Sequence, residues 1–345
     1  MAKPIKVLAL VQVRHHRACS VIRTLWPLVA LHGRADFECE WFDSEKVYSL
    51  LVSGREGEFA GRDIYVVSRL HGPTKGDNPY KYFTGKSVYE TDDDLSDVHR
   101  DFGTGQWEEE FIHYCDAVTV STKPLGEIIA KHGKPVYVVP NHVNSGFYSK
   151  VSLEAERMDD RLTIGLIGTG SHWSDWIEMI EPLKKIKENY PDVQLVCGGY
   201  RPPYLKDVVD FFYGPLPFEQ YPALIRQVDI RLSPLDYSDG FNLSKSPIAA
   251  LEAMACSRPV GVSGTLGGAV AVVADHIAYK GTVQHKTNGM LVKPGGWYDT
   301  LVELIENVKL RERLALAGHK WVRNERDISR SAPMWAHAYH DIAGR

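Results

Sequence analysis

The 345-residue chain has no uninterrupted apolar run of the roughly eighteen residues that would mark a membrane-spanning helix. No leader with a basic start and a small-residue cleavage site precedes the first apolar strand, so the reading expects a cytoplasmic protein. Cysteine is scarce and unpaired. Cys19, Cys39, Cys115, Cys197 and Cys256 are odd in number and include no CxxC spacing, which argues against a disulfide framework. Their apolar contexts predict free thiols in a reducing compartment. There is no large excess of charge of either sign. A formal net charge of −4 and a pI near 6.4 exclude a strong nucleic-acid footprint over the whole molecule, though not a local basic groove. Tandem repeats and low-complexity tracts are also absent.

What remains is an ordinary globular composition, 44% hydrophobic and 24% charged, in a chain long enough for two domains of about 150 residues or slightly more. Short apolar, β-branched runs at 5–13, 63–70, 86–95, 116–122 and 136–139 alternate with helical patterns. That alternation predicts an α/β domain with a doubly wound parallel sheet. A charge-rich linker at 154–161 follows, and the pattern restarts with strands at 162–167 and 193–197. The helical face after the first of these is Ile177, Ile180, Leu183 and Ile186. The expected division is 1–150, 151–325 and a closing helix within 326–345.

The most informative stretch is 236–263, read as a loop, a helix and a short buried strand at 260–262. Ser246 is a suitable N-cap and Pro247 suits the first helical position. Ile248, Leu251, Ala255 and Cys256 predict one buried face. Lys245 sits one residue before the cap, beside exposed helical N–H groups, which is a natural site for a phosphate or diphosphate. Glu252 lies about 9 Å further along the helix axis, roughly the reach from a diphosphate to the ribose of the same nucleotide. An amphipathic helix with a surface lysine and a surface glutamate is the plain alternative.

F-N-x-x-K-S at 241–246, followed by L-E-A-M-A-C-x-x-P-V at 251–260, resembles the donor-binding signature of retaining glycosyltransferases with the GT-B fold, the group-1 or family-4 type. The segment 116–122, the P-N-x-V-N run at 140–144 and N-G-M-L-V-K-P at 288–294 are similar to further segments of that family. The resemblance covers nearly all the chain from Asp116 onward and is weaker in the first hundred or so residues. It implies two Rossmann-like doubly wound domains facing across a cleft. A nucleotide-diphosphate sugar would be the donor substrate, with no further cofactor and no metal. The run at 140–144 would be the hinge, and the closing helix would cross back to the first domain.

By the same resemblance Lys245 meets the diphosphate and Glu252 the ribose, with Asn242, Ser244 and Ser246 lining the donor loop. The common family pattern has a glutamate where Ser244 stands, which leaves the donor sugar unspecified. The turn Gly168-Thr169-Gly170-Ser171 offers backbone N–H groups to phosphate, and Trp173 replaces the third glycine of a dinucleotide fingerprint. His172 is either a donor-side contact or a helix-start histidine without a role. Tyr213 and Leu216 fall in the segment that meets the nucleotide base in the family.

On the acceptor side, His15 and His16 follow the first strand at the sheet's carboxyl edge, where a substrate contact fits better than a metal. Arg23 matches a family arginine facing the cleft, or is a solvated helix charge. Glu90, Asp92, Asp93 and Asp94 end a strand, where adjacent carboxylates repel. They bind or orient the acceptor, hold a metal, or begin a helix with Asp94 as cap and Asp97 at its third position. The acceptor role is preferred, with Asp93 and Glu90 as its residues and His99 nearby.

The resemblance implies transfer of a sugar from a nucleotide-diphosphate sugar to a hydroxyl, with retention, onto a saccharide or lipid-linked saccharide. A phage-type enzyme acting on hydroxylated DNA bases is an alternative, since Arg69, Lys75, Lys81 and Lys86 interleave with Tyr80 and Tyr82. A nucleotide-sugar epimerase or hydrolase and a non-catalytic sugar-nucleotide binding subunit are the others. The missing third glycine counts against a Rossmann oxidoreductase.

Overall fold

The computed structural model describes residues 3–12, 17–68, 79–94, 111–150, 161–256 and 269–345. The chain forms two compact units. The first comprises Met1–His142, Leu243–Ser246 and Ile328–Arg345; the second comprises Val143–Asn242 and Pro247–Asp327.

The first unit is built on six parallel strands: β1 (Ile5–Val11), β2 (Phe37–Asp43), β3 (Ile64–Ser68), β4 (Lys86–Thr91), β5 (Ala117–Val120) and β6 (Val136–Val138), in the order β2-β1-β3-β4-β5-β6. The central strands read as unbroken apolar runs because both faces of a parallel sheet are covered. Leu8 and Leu10 enter one core with Tyr65, Tyr89 and Phe111. Val7, Ala9 and Val11 enter the other, where Trp335 and Tyr339 of the helix Ile328–Ala343 pack. The edge strand β2 instead carries exposed Glu38 and Glu40.

Arg23 is an interior residue of this unit. It stands in a π-helical turn, Val21–Leu25, that runs directly into the helix Trp26–His32. A π turn widens a helix locally and commonly marks a position under a special constraint. Arg23 Nε donates to Glu90 Oε1 at 2.6 Å and a terminal nitrogen donates to Glu90 Oε2 at 3.2 Å. The other terminal nitrogen donates to the Val139 carbonyl and to Asn141 Oδ1, and the guanidinium lies over the Trp335 ring at 5.0 Å. Both members of the pair are about 2% exposed or less. Burial pushes the Glu90 carboxyl up to about 7, while Arg23 and the Thr119 hydroxyl pull it down. The burial of Arg23 excludes the alternative of a solvated helix charge, and Glu90 is an interior carboxylate shared by Arg23 and Thr119.

The second unit repeats the architecture with β7 (Thr163–Gly168), β8 (Gln194–Gly199), β9 (Phe211–Tyr213), β10 (Ile230–Ser233), β11 (Val270–Ala274) and β12 (Met290–Val292). All pair in parallel, in the order β12-β11-β10-β7-β8-β9. Counted from β7, this is the 3-2-1-4-5-6 order of the doubly wound fold, and its direction reverses between β7 and β10. The loops leaving the carboxyl ends of those two strands diverge there and open a crevice.

Two sequence expectations shift. Ile177 is exposed, since a 3₁₀ turn (Ile177–Met179) precedes the helix Ile180–Asn189 and turns Met179 inward instead. The central helix of the signature begins at Ile248, and the Pro247 carbonyl accepts from the N–H groups of Ala250 and Leu251. Pro247 thus supplies the first helical acceptor, one residue later than expected, a difference that is ordinary at helix ends. The Ser246 hydroxyl accepts from Asn141 Nδ2 at 2.8 Å within the first unit. The expected strand at 260–262 lies outside the described residues.

Truncating Arg23 to alanine leaves a buried carboxylate unpaired, a loss of about 3–5 kcal/mol. Urea denaturation of R23A is expected to show the first unit unfolding at clearly lower denaturant, with Glu90→Gln milder. An unchanged midpoint for R23A would show that the pair contributes nothing to stability.

Candidate functional site

The carboxyl end of β7 runs into the turn Gly168-Thr169-Gly170-Ser171, whose last residues begin a short 3₁₀ turn, Gly170–His172. Glycine is required here by space. A Cβ on Gly168 would lie 3.0 Å from the His172 ring and 3.1 Å from Trp176, and one on Gly199 (φ +81°) would lie 2.4 Å from the Gly168 carbonyl oxygen. The turn is exposed, with Thr169 and Ser171 sharing a hydroxyl–hydroxyl hydrogen bond of 2.9 Å. The Tyr200 ring, from the loop after β8, stands next to Gly170.

His172 stacks on Trp176, with ring centroids 6.3 Å apart and planes 3° from parallel. Its Nδ1 lies 2.7 Å from Asp175 Oδ2, and a carboxylate only accepts, so Nδ1 carries the proton. Asp175 is 2% exposed. Its other oxygen accepts from the Asp236 backbone N–H at 2.8 Å and from Asn242 Nδ2 at 2.6 Å, both in the loop that follows β10. One buried carboxylate thereby joins the two loops that flank the switch point. Asn242 is fully buried, its amide nitrogen committed to Asp175 and to the Asp236 carbonyl at 3.1 Å. Through that nitrogen Asn242 braces the loop after β10.

Glu252 is also interior, in a helix buried on every side from Ala250 to Cys256. Its Oε2 accepts from Arg231 at 3.0 Å and its Oε1 from the Tyr148 hydroxyl at 2.9 Å. Arg231 in turn donates to the Tyr221 hydroxyl at 2.9 Å. Burial raises the Glu252 carboxyl, opposed by Arg231 and then by Tyr148. The plain alternative of a solvated helix glutamate is excluded by this burial. A carboxylate has about four acceptor positions. Two are used by Arg231 and Tyr148, leaving room for hydroxyl donors.

The remaining residues divide by unit. Tyr213 is half-buried at the end of edge strand β9, and Leu216 is exposed. Ser244 and Lys245 are buried and group with the first unit, where the Ser244 carbonyl accepts from the Thr122 hydroxyl at 2.8 Å. Asp92, Asp93 and Asp94 are half-buried in a turn after β4, held by Thr91 to the Asp93 carbonyl at 3.0 Å and by Ser121 to the Asp92 carbonyl at 3.3 Å. Among the described residues no three His, Cys, Asp or Glu side chains gather as a metal site. His15, His16 and His99, together with Asp97, lie outside the described residues. Asp175 and Arg231 were not anticipated. The H-x-x-D spacing of His172 and Asp175 was the available signal for the first; nothing local marks the second.

Residues 161–308, within the second unit apart from the loop 243–246, match the family model described as glycosyl transferases group 1. No curated protein matches the chain by sequence. Among solved structures, HepE of Anabaena in complex with UDP-glucose is similar over 98% of this chain and 100% of its own, at 15% identity and a TM-score of 0.67. Sucrose-phosphate synthase of Thermosynechococcus elongatus is similar over 99% of each chain, at 13% identity and a TM-score of 0.63. These likenesses show the two-domain GT-B fold.

Because Arg231 is buried against it, Glu252→Ala is expected to destabilise the second unit by about 3–5 kcal/mol, while Glu252→Gln keeps acceptor geometry and loses less. Thermal and urea unfolding of both variants check this. Equal stability of Glu252→Ala and wild type would show that Arg231 is not held by this carboxylate.

Proposed function

We propose that this protein is a glycosyltransferase that moves a sugar from a nucleotide-diphosphate sugar to a hydroxyl acceptor with retention of configuration. The observation that carries the reading is the exposed glycine turn at the β7–β10 switch point, braced through His172 and Asp175, inside the segment that matches the group-1 family. Open α/β sheets bind nucleotides at this position. HepE, similar in fold, is a UDP-glucose-binding protein in its crystal form.

In this reading the bond between the sugar's anomeric carbon and the diphosphate oxygen breaks, and negative charge grows on the leaving diphosphate. The N–H groups of the turn, His172 and Lys245 oppose that charge, and such preorganised donors favour the transition state over the ground state. The acceptor hydroxyl attacks on the face the diphosphate leaves, and its proton passes to a diphosphate oxygen. No protein nucleophile is needed. Glu252 receives the ribose hydroxyls with the acceptor positions that Arg231 and Tyr148 do not use. Tyr213 and Leu216 border the base, and Ser244 and Ser246 shape the loop around Lys245. Asp93 orients the acceptor, a saccharide or lipid-linked saccharide.

The test is a panel of nucleotide sugars screened for thermal stabilisation, followed by acceptors with the best donor and NMR of the product's anomeric configuration. The expected product keeps the donor's configuration. Donor binding without transfer to any acceptor would favour a binding subunit, and epimerised or hydrolysed donor would replace the transferase reading. Lys245→Ala is expected to lower kcat about a hundredfold or more, the effect of removing roughly 3–4 kcal/mol of contact to a developing anion. Near-wild-type turnover in the folded variant would remove Lys245 from the reaction.

A further inference from the structure

We propose that Asp175 is a positioning residue that acts through His172, holding the imidazole as a donor to the diphosphate of the bound nucleotide. The inference rests on the donor-binding reading above and adds to it a residue and an orientation.

The geometry is specific. Asp175 Oδ2 lies 2.7 Å from His172 Nδ1, while Oδ1 receives the Asp236 N–H at 2.8 Å and Asn242 Nδ2 at 2.6 Å. The two oxygens therefore do separable work: one fixes the loop after β10, the other fixes the ring after β7. With Nδ1 protonated and directed at Asp175, the Nε2 edge of His172 points away from the carboxylate. The stacked Trp176 ring and the bare Gly168 set the ring's plane, since a Cβ at Gly168 would meet His172 at 3.0 Å. A carboxylate beside an imidazole favours the imidazolium. Nε2–H then becomes a charged donor, and charged hydrogen bonds to phosphate oxygens are the stronger kind. The His172 side chain is about a quarter exposed.

Asp175→Asn separates the two oxygens' work. The amide oxygen still accepts from Asp236 and Asn242, while the amide nitrogen now donates to His172 Nδ1. The ring is left neutral, with its orientation kept but its charge lost.

Calorimetric titration with UDP, GDP and ADP, then with the monophosphate of whichever binds most tightly, is the experiment. His172→Ala is expected to weaken diphosphate binding about ten- to a hundredfold, and monophosphate binding much less. Asp175→Asn is expected to weaken diphosphate binding about tenfold. In the double variant Asp175→Asn adds nothing to His172→Ala, as two groups acting in series require. Additive losses, or equal losses for mono- and diphosphate, would overturn the inference and return Asp175 to a loop brace, with the transferase reading intact. Failure of the wild-type protein to bind any of the three diphosphates would overturn both. Nitrogen-15 NMR of the His172 ring in the wild-type protein does not depend on how any Asp175 variant folds. Protons on both Nδ1 and Nε2 in the nucleotide-bound protein support the inference, and a bare nitrogen at either position contradicts it.

Discussion

The second unit depends on what happens where its sheet reverses direction. Parallel strands covered on both faces leave the chain few places to expose polar backbone, and the loops at a switch point are one of them. Two such loops diverging from β7 and β10 would be independent and mobile without a tie. Asp175 is that tie, buried and bonded to His172, to the Asp236 N–H and to Asn242. Each partner is a donor, so the carboxylate's desolvation is offset by charge-assisted hydrogen bonds and not by a single ion pair. The turn above it can then stay glycine-rich and exposed while its surroundings remain fixed.

The same solution recurs in both units at a second level. Arg23 with Glu90 and Arg231 with Glu252 are buried arginine–carboxylate pairs, each with an aromatic ring near the guanidinium: Trp335 at 5.0 Å and Tyr221 at 5.7 Å. A buried pair of this kind contributes modestly to net stability but is costly to break from one side. It fixes elements that are distant in sequence. The first joins helix, strand and the Asn141 region; the second joins β10, the helix Ile248–Cys256 and Tyr148. Substitutions at Glu90 or Glu252 consequently test architecture as well as chemistry, and stability must be measured beside any kinetic effect.

The strands were legible because burial on both faces writes itself as continuous β-branched and aliphatic runs, as in Ile5–Val11 and Val270–Ala274. The glycine turn and the helix after Lys245 were legible for a similar reason, since close backbone approach and helix starts restrict residue type locally. The pairing of Arg23 with Glu90 was not legible because it spans 67 residues, and no local pattern encodes a partner at that distance. Spacing and the family resemblance place Glu252 at the ribose, with a surface glutamate as the alternative, and its burial removes that alternative. The alanines and methionine that surround it on the helix signalled burial on every side, a signal a single-face pattern does not capture. Asp175 was passed over because an aspartate three residues after a histidine is common on solvated turns, and its two loop partners lie 61 and 67 residues away.

The central claim is that the nucleotide of a sugar donor sits on the switch-point turn of the second unit. Hydrogen–deuterium exchange of the full chain, with and without the nucleotide sugar that most raises its melting temperature, reads this directly. The account predicts slowed exchange at 168–175 and in the loop after β10 at 236–247, with β2 and its edge unchanged. Protection confined to segments outside these two loops, with nucleotide binding independently confirmed, would contradict it.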